Sequence, residues 1–151
     1  MATKSMDAIG LLEADHRAVE DLFKQFEAAG ERAGAKKQRL FETIRHELEV
    51  HTSIEEEIFY PASRAVDEEM VAEAVEEHHV VDMLIAEIAQ LEPSDEAFDA
   101  KMTVLMENIE HHVEEEEKEL FPKVKKELGA DKMRELGDQM ASRKQELKQA
   151  A

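Results

Sequence analysis

The sequence predicts an all-α fold: an antiparallel up-down four-helix bundle with an additional C-terminal helix. Three observations carry this. Only five Gly and three Pro occur among 151 residues, with 42% apolar and 37% charged residues, a balance that favours long helices over strands and turns. Apolar residues recur in steps of three and four through five segments. The connections between the first four segments are short, so consecutive helices lie side by side and antiparallel.

The first helix is expected at about Asp7–Ala28, with Ile9, Leu12, His16, Val19, Phe23 and Phe26 on one stripe and Gly30 suited to its C-terminal cap. The second, about Ala35–Tyr60, runs Leu40, Ile44, Leu48, His51, Glu55, Ile58, and Pro61 is expected to kink or end it because proline lacks the amide donor. The third, about Glu68–Leu91, follows Val71, Val75, His78, Val81, Ile85 and Ile88. Glu92-Pro-Ser-Asp95 reads as a linker, with Ser94 or Asp95 placed to cap the next helix. The fourth, about Asp95–Phe121, carries Phe98, Met102, Leu105, Ile109, His112, Glu116 and Leu120. After Gly129 a weaker fifth segment, Asp131–Ala150, offers Met133, Leu136, Met140 and Leu147. Residues 1–128 are therefore expected to form the bundle and 129–151 an accessory helix.

Within these stripes the chain repeats itself. His51-Thr-Ser-Ile-Glu55 and His112-Val-Glu-Glu-Glu116 are each followed six residues after the Glu by a proline, Pro61 and Pro122. Each copy has a further His upstream, His16 and His78, in segments that also match. Positions four apart on a helix lie one above the other, so each copy aims an imidazole and a carboxylate in one direction. His16, His51, Glu55, His78, His112 and Glu116 all fall on the apolar seam, where a bundle otherwise places Leu or Ile. A buried polar group without a partner costs roughly 1–3 kcal/mol, and a charge costs more. His–Glu hydrogen bonds could satisfy some of the six; metal ions would satisfy all of them. His46, His79 and His111 fall off the seam and are expected outside.

Four imidazoles and two carboxylates suit a first-row transition metal, since Ca or Mg sites are richer in oxygen. Six side chains exceed one tetrahedral zinc but suit two ions, with Glu55 and Glu116 as the natural bridges from opposite halves. Two octahedral ions need more donors than six residues give, so solvent, an oxo or hydroxo bridge or an exogenous ligand completes them. The other acidic residues of the Glu55–Glu57 and Glu114–Glu117 runs are read as solvated face, and Met70, Met83, Met102 and Met106 as packing. Tyr60, the single tyrosine, could approach the centre, but one turn beyond Glu55 it is expected to close the bundle end. A ferritin-like plan with Glu-x-x-His pairs finds Glu13-x-x-His16 and Glu76-x-x-His79, but these are out of register with the repeat.

The absence of cysteine excludes disulfides, iron–sulfur clusters and thiol catalysis. A formal net charge of −18 disfavours nucleic acid and anionic membrane surfaces. Without the apolar core of a signal peptide in Met-Ala-Thr-Lys-Ser-Met-Asp7 or a run of transmembrane length, a cytoplasmic protein is expected.

The elements Asp-His16-Arg, His51-x-x-x-Glu55-Glu with Phe-Tyr-Pro61, Glu-His78-His79-Val, and His112-x-x-x-Glu116-Glu with Leu-Phe-Pro122 resemble the hemerythrin-like family of HHE cation-binding domains. The resemblance spans about residues 7–128. It implies a non-haem di-iron centre (Fe2+/Fe3+) that stores, carries or senses dioxygen or nitric oxide, the alternatives being an enzyme that consumes hydrogen peroxide or an iron sensor. Oxygen-carrying relatives place two His four residues apart on the third helix, whereas here Ala74 precedes His78 and Asp82 follows it. That departure implies one ion short of a protein nitrogen and an open position, unless Asp82 or a rotated His79 substitutes.

Overall fold

The chain was analysed as a computed structural model that describes residues 6–30 and 33–150; most of the N-terminal stretch inspected for a signal peptide lies outside them. Its helices are α1 (Ala8–Ala28), α2 (Gly34–Ile54), α3 (Tyr60–Ser63), α4 (Glu68–Ala89), α5 (Glu96–Glu115) and α6 (Phe121–Ala150). No strand occurs among the described residues. α1 and α2 pair, as do α4 and α5, and the two hairpins close the up-down bundle. Asp7 starts α1 by accepting the Gly10 amide at 2.8 Å, and Asp67 starts α4 by accepting that of Met70 at 3.0 Å.

Two helix ends differ from expectation. Gly30 is not a left-handed cap: α1 ends through Ala29 in extended conformation, and among the described residues only Gly129 has positive φ. Asp95 stands at the N-cap of α5, but its carboxylate turns back to the Glu92 amide at 2.9 Å.

The larger difference lies at the two prolines. Neither ends its helix. Glu55–Phe59 and Glu116–Leu120 are single π-helical turns, closed by the Tyr60 amide on the Glu55 carbonyl and the Phe121 amide on the Glu116 carbonyl. A proline within an α-helix loses one hydrogen bond and drives its ring into the carbonyl four residues back. Widening the turn before it relieves that clash and lets the chain run on helically, so α2 continues into α3 and α5 into α6. The extra residue also rotates the face. Ile58, expected on the seam, is half-buried, and Phe59 and Tyr60 take the interior instead.

The chain leaves α-helical geometry once more at Gly129 (φ 83°, ψ 166°), a conformation open to glycine because it has no Cβ. The segment beyond folds back over α1. Its Met133, Leu136 and Met140 are buried, and a Cβ on Gly137 would stand 2.6 Å from the Met6 carbonyl oxygen, so this close crossing admits only glycine without a shift.

The interior is not continuous. One apolar cluster holds Val19, Phe23, Ile44, Leu48, Val81, Ile85, Phe98, Met102 and Ile109. The other holds Leu11, Leu12, Phe59, Tyr60, Val71, Ala74, Leu120, Phe121 and Val124, with the three buried residues of the C-terminal segment. On α1, α2, α4 and α5 the polar seam residues fall between the two.

Candidate metal centre

All six seam residues lie in this layer, each between 0% and 5% exposed. Their ligand atoms form two convergent groups: His16, His51 and Glu116, and Glu55, His78 and His112. Each group draws its two His from one half of the chain and its Glu from the other. Glu55 Oε1 lies 3.0 Å from His51 Nε2 and 3.3 Å from His78 Nε2. Glu116 Oε1 lies 3.2 Å from His16 Nε2 and 3.4 Å from His112 Nε2. Each carboxylate therefore touches an imidazole of both groups, which is the arrangement a bridge requires.

Local folding sets these positions. On α2 and α5 the four-residue step stacks His51 under Glu55 and His112 under Glu116, and each Glu opens the π turn that its proline imposes. On α1 and α4, His16 and His78 stand one turn from Val19 and Val81 on the same stripe.

Every inner His is held from behind by a carboxylate at Nδ1. The partners are Glu117 for His16 at 2.6 Å, Asp15 for His51 at 3.0 Å, Glu56 for His78 at 3.2 Å and Glu77 for His112 at 2.8 Å. A proton on Nδ1 shared with a carboxylate leaves Nε2 as the lone pair, fixes the ring and raises its donor strength. All four Nε2 atoms turn inward. Glu56 and Glu117, read from the sequence as solvated, reach across to the opposite half instead. Asp15 and Glu77 serve their own half. The signal for all four was present: each stands one residue from a seam ligand, in matching places of both copies.

Inside the layer the accounts do not close. His16 Nε2, His51 Nε2, Glu55 Oε1, Glu55 Oε2 and Glu116 Oε1 are buried without a hydrogen-bond partner; the short His–Glu approaches are misaligned for one. His78 Nε2 and His112 Nε2 face each other at 3.2 Å. Donors bound side by side to one ion at about 2.1 Å stand roughly 3 Å apart, close to the separations seen here. Convergent, mutually unsatisfied N and O donors fit metal binding.

The electrostatics agree. Burial opposes charge on His51, but the Glu55 carboxylate and the hydrogen bond to Asp15 outweigh it and lift the pKa from 6.5 to about 10. Burial likewise opposes charge on His112, and Glu116 and Glu77 raise it well above the usual value. Burial would raise Glu116, yet His112 holds it well below the ordinary carboxylate range. Without an ion, the layer keeps its charge balance by retaining protons on imidazole.

Tyr60 enters the layer rather than closing the bundle end. Its hydroxyl donates to Glu116 Oε2 at 2.7 Å and lies 3.3 Å from His78 Nε2 and 3.2 Å from His112 Nε2. The matching residue of the second copy is Phe121, whose ring stacks on His16 with centroids 6.0 Å apart. At this position the two halves differ by one hydroxyl.

His46, His79 and His111 stand outside the layer. His79 pairs with Glu76 at 3.2 Å, and neither it nor Asp82 belongs to a convergent donor group. Each group holds two His and one Glu, and His78 is the only nitrogen that the third helix brings to either. His111 meets Glu77 and Glu115 at the surface, a grouping common in acidic proteins without an ion.

The hemerythrin HHE cation binding domain matches residues 7–124. An uncharacterised protein of Mycobacterium tuberculosis is 27% identical over 146 residues, covering 95% of this chain and 88% of that protein. A DNA nickase of a Nostoc species is 24% identical over 147 residues, covering 97% of this chain and 41% of that longer protein. The crystal structure of a hemerythrin HHE cation binding domain-containing protein from Mycobacterium kansasii is similar with a TM-score of 0.84 at 24% identity, over 96% of this chain and 89% of the other, which shows a shared fold. With a family match spanning the whole bundle and the two His/Glu groups at its centre, the chain belongs to the hemerythrin HHE cation-binding domain family.

Proposed function

We propose that this is a non-haem di-iron protein, with His16, His51, Glu55, His78, His112 and Glu116 as its metal ligands, that binds dioxygen, nitric oxide or a related small molecule for storage, carriage or sensing. The observation that carries the reading is the set of five buried, unpartnered N and O atoms converging from both halves of the chain. Two irons in this layer would supply electrons and exchangeable positions for such a ligand. The protein supplies the rest. Asp15, Glu56, Glu77 and Glu117 orient the four imidazoles, and Glu55 and Glu116 span the two groups.

The space beside the donors supports a small, weakly polar ligand. A cavity of about 20 Å³ abuts His16, His51, His78 and His112 and is otherwise walled largely by Val19, Leu48, Val81, Ile109 and Val113. That volume exceeds the roughly 10–15 Å³ that a single water requires, and the aliphatic walls offer a water few partners. Burial of all six donor residues supports a site shielded from solvent, while the position left by the missing second His on the third helix would remain open to a small ligand.

Peroxide consumption is the second reading, and Tyr60 favours it. Burial, then the Glu116 charge, raises its pKa well above the usual value in the metal-free layer, and its hydroxyl lies within 3.3 Å of His78 and His112 Nε2, where it could donate a proton to peroxide. The diferrous protein mixed with air-saturated buffer, followed optically with and without nitric oxide, separates the two. Binding predicts an adduct that reverses on deoxygenation and a spectral shift with nitric oxide. Rapid irreversible oxidation, with peroxide consumed by the ferric form, would make it an enzyme. A colourless protein after iron reconstitution would refute both.

A further inference from the structure

The two donor groups have the same residue types but different backing. At the His16, His51 and Glu116 group, both carboxylates behind the imidazoles carry a cation. Lys144 Nζ pairs with Asp15 Oδ1 while Asp15 Oδ2 holds His51, and Arg17 pairs with Glu117 on the oxygen that holds His16. At the Glu55, His78 and His112 group, no Lys or Arg among the described residues pairs with Glu56 or Glu77. The approach of His111 to Glu77 is 3.9 Å.

The two cations do not weigh equally. The Arg17 side chain is 57% exposed, so solvent screens much of its effect. Lys144 is 25% exposed and its partner Asp15 only 7%, so their interaction runs through protein rather than water. Lys144 also stands outside the matched family region 7–124, on the C-terminal segment that Gly129 turns back over α1. The neighbouring Arg143 ties the same segment to Glu57, which holds no imidazole.

We propose that Lys144 is a positioning residue that makes the two metal positions unequal: through Asp15 and His51 it weakens the His16, His51 and Glu116 position, so that this one fills second. The inference rests on the metal-centre reading above. A carboxylate on Nδ1 strengthens the Nε2 donor, and a cation drawing on that carboxylate takes part of the gain away. The ammonium adds its own repulsion toward a cation at His51. Both effects have the same sign. The accessory segment is thereby a control on one half of the centre rather than packing alone.

The test is titration of the metal-free full-length protein with cobalt(II) under argon, reading the visible bands of bound cobalt. Two resolved steps are expected, the weaker lost in His51→Ala and the tighter lost in His112→Ala. Lys144→Met should tighten the weaker step by about tenfold, at the low end of the 10–100-fold typical when a partner behind a metal ligand is changed, and leave the tighter one in place. Lys144→Arg should keep the original separation. Arg143→Met, which loosens the same segment without touching Asp15, should leave both steps unchanged and shows whether helix docking alone matters. Two ions bound in indistinguishable steps, a weaker step loosened by Lys144→Met, or an equal effect of Arg143→Met would overturn the inference while leaving the metal centre standing. No cobalt uptake at all would overturn both.

Discussion

The apolar ends of the bundle and the polar layer between them are buried to the same degree but for different reasons. Ile44, Phe98, Met102 and Leu105 at one end, and Leu12, Phe59 and Val124 at the other, are fully enclosed by each other, and burial of apolar surface suffices to hold them. The layer is equally enclosed, yet its imidazole and carboxylate atoms gain nothing from being dry and five of them lack partners. Folding alone would favour Leu in these places. The ends therefore explain the bundle, and the layer needs an occupant to be explained.

The layer depends most on the carboxylates that touch both donor groups. Glu55→Ala or Glu116→Ala should abolish binding of both ions while far-UV circular dichroism stays helical; retention of one full ion would show that these residues do not bridge. His16→Ala, His51→Ala, His78→Ala and His112→Ala should each lose at least one ion, whereas His46→Ala, His79→Ala and His111→Ala retain both, as elemental analysis of the purified variants can check. His78 and His79 are adjacent, with side chains 3% and 59% exposed, so this pair is the sharpest contrast.

A more graded effect comes from pH. His51 is raised from 6.5 to about 10 in the metal-free protein, so its proton stabilises the fold fully below pH 6.5 and that contribution is lost as pH rises through about 10. An incoming ion must displace the proton. Metal affinity should therefore rise with pH across this window, by about tenfold per unit for each proton released, and unbuffered titrations should acidify. Affinity flat in pH from 6.5 to 9 would contradict the charge balance assigned to the layer. The smallest effect on metal belongs to the apolar ends: Ile44→Ala should cost about 2–5 kcal/mol in denaturant unfolding and leave the ion count unchanged.

Much of this contrast was legible from helical register. The three- and four-residue steps separate four inner from three outer histidines and place both glutamates beside them, because position on a helix face follows from spacing. The π turns were not legible. Pro61 and Pro122 signal a local clash, but whether a helix breaks or widens depends on what packs beyond it, and the extra residue moved Tyr60 inward where spacing had placed Ile58. The carboxylates behind the imidazoles were missed for another reason. Glu56 and Glu117 are rotated off the seam, and only the length of their side chains brings them back to a neighbouring helix. Lys144 lies in the weakest stripe of the sequence, and its partner Asp15 is 129 residues away.

The proposed centre holds two ions bridged by Glu55 and Glu116. Anaerobic titration of the metal-free protein with ferrous iron, followed by air and an optical spectrum, tests it most directly. Two irons per chain, with ultraviolet and visible charge-transfer bands of a bridged ferric pair, are expected. A single ion per chain, or saturation by one zinc that iron cannot displace, would contradict it.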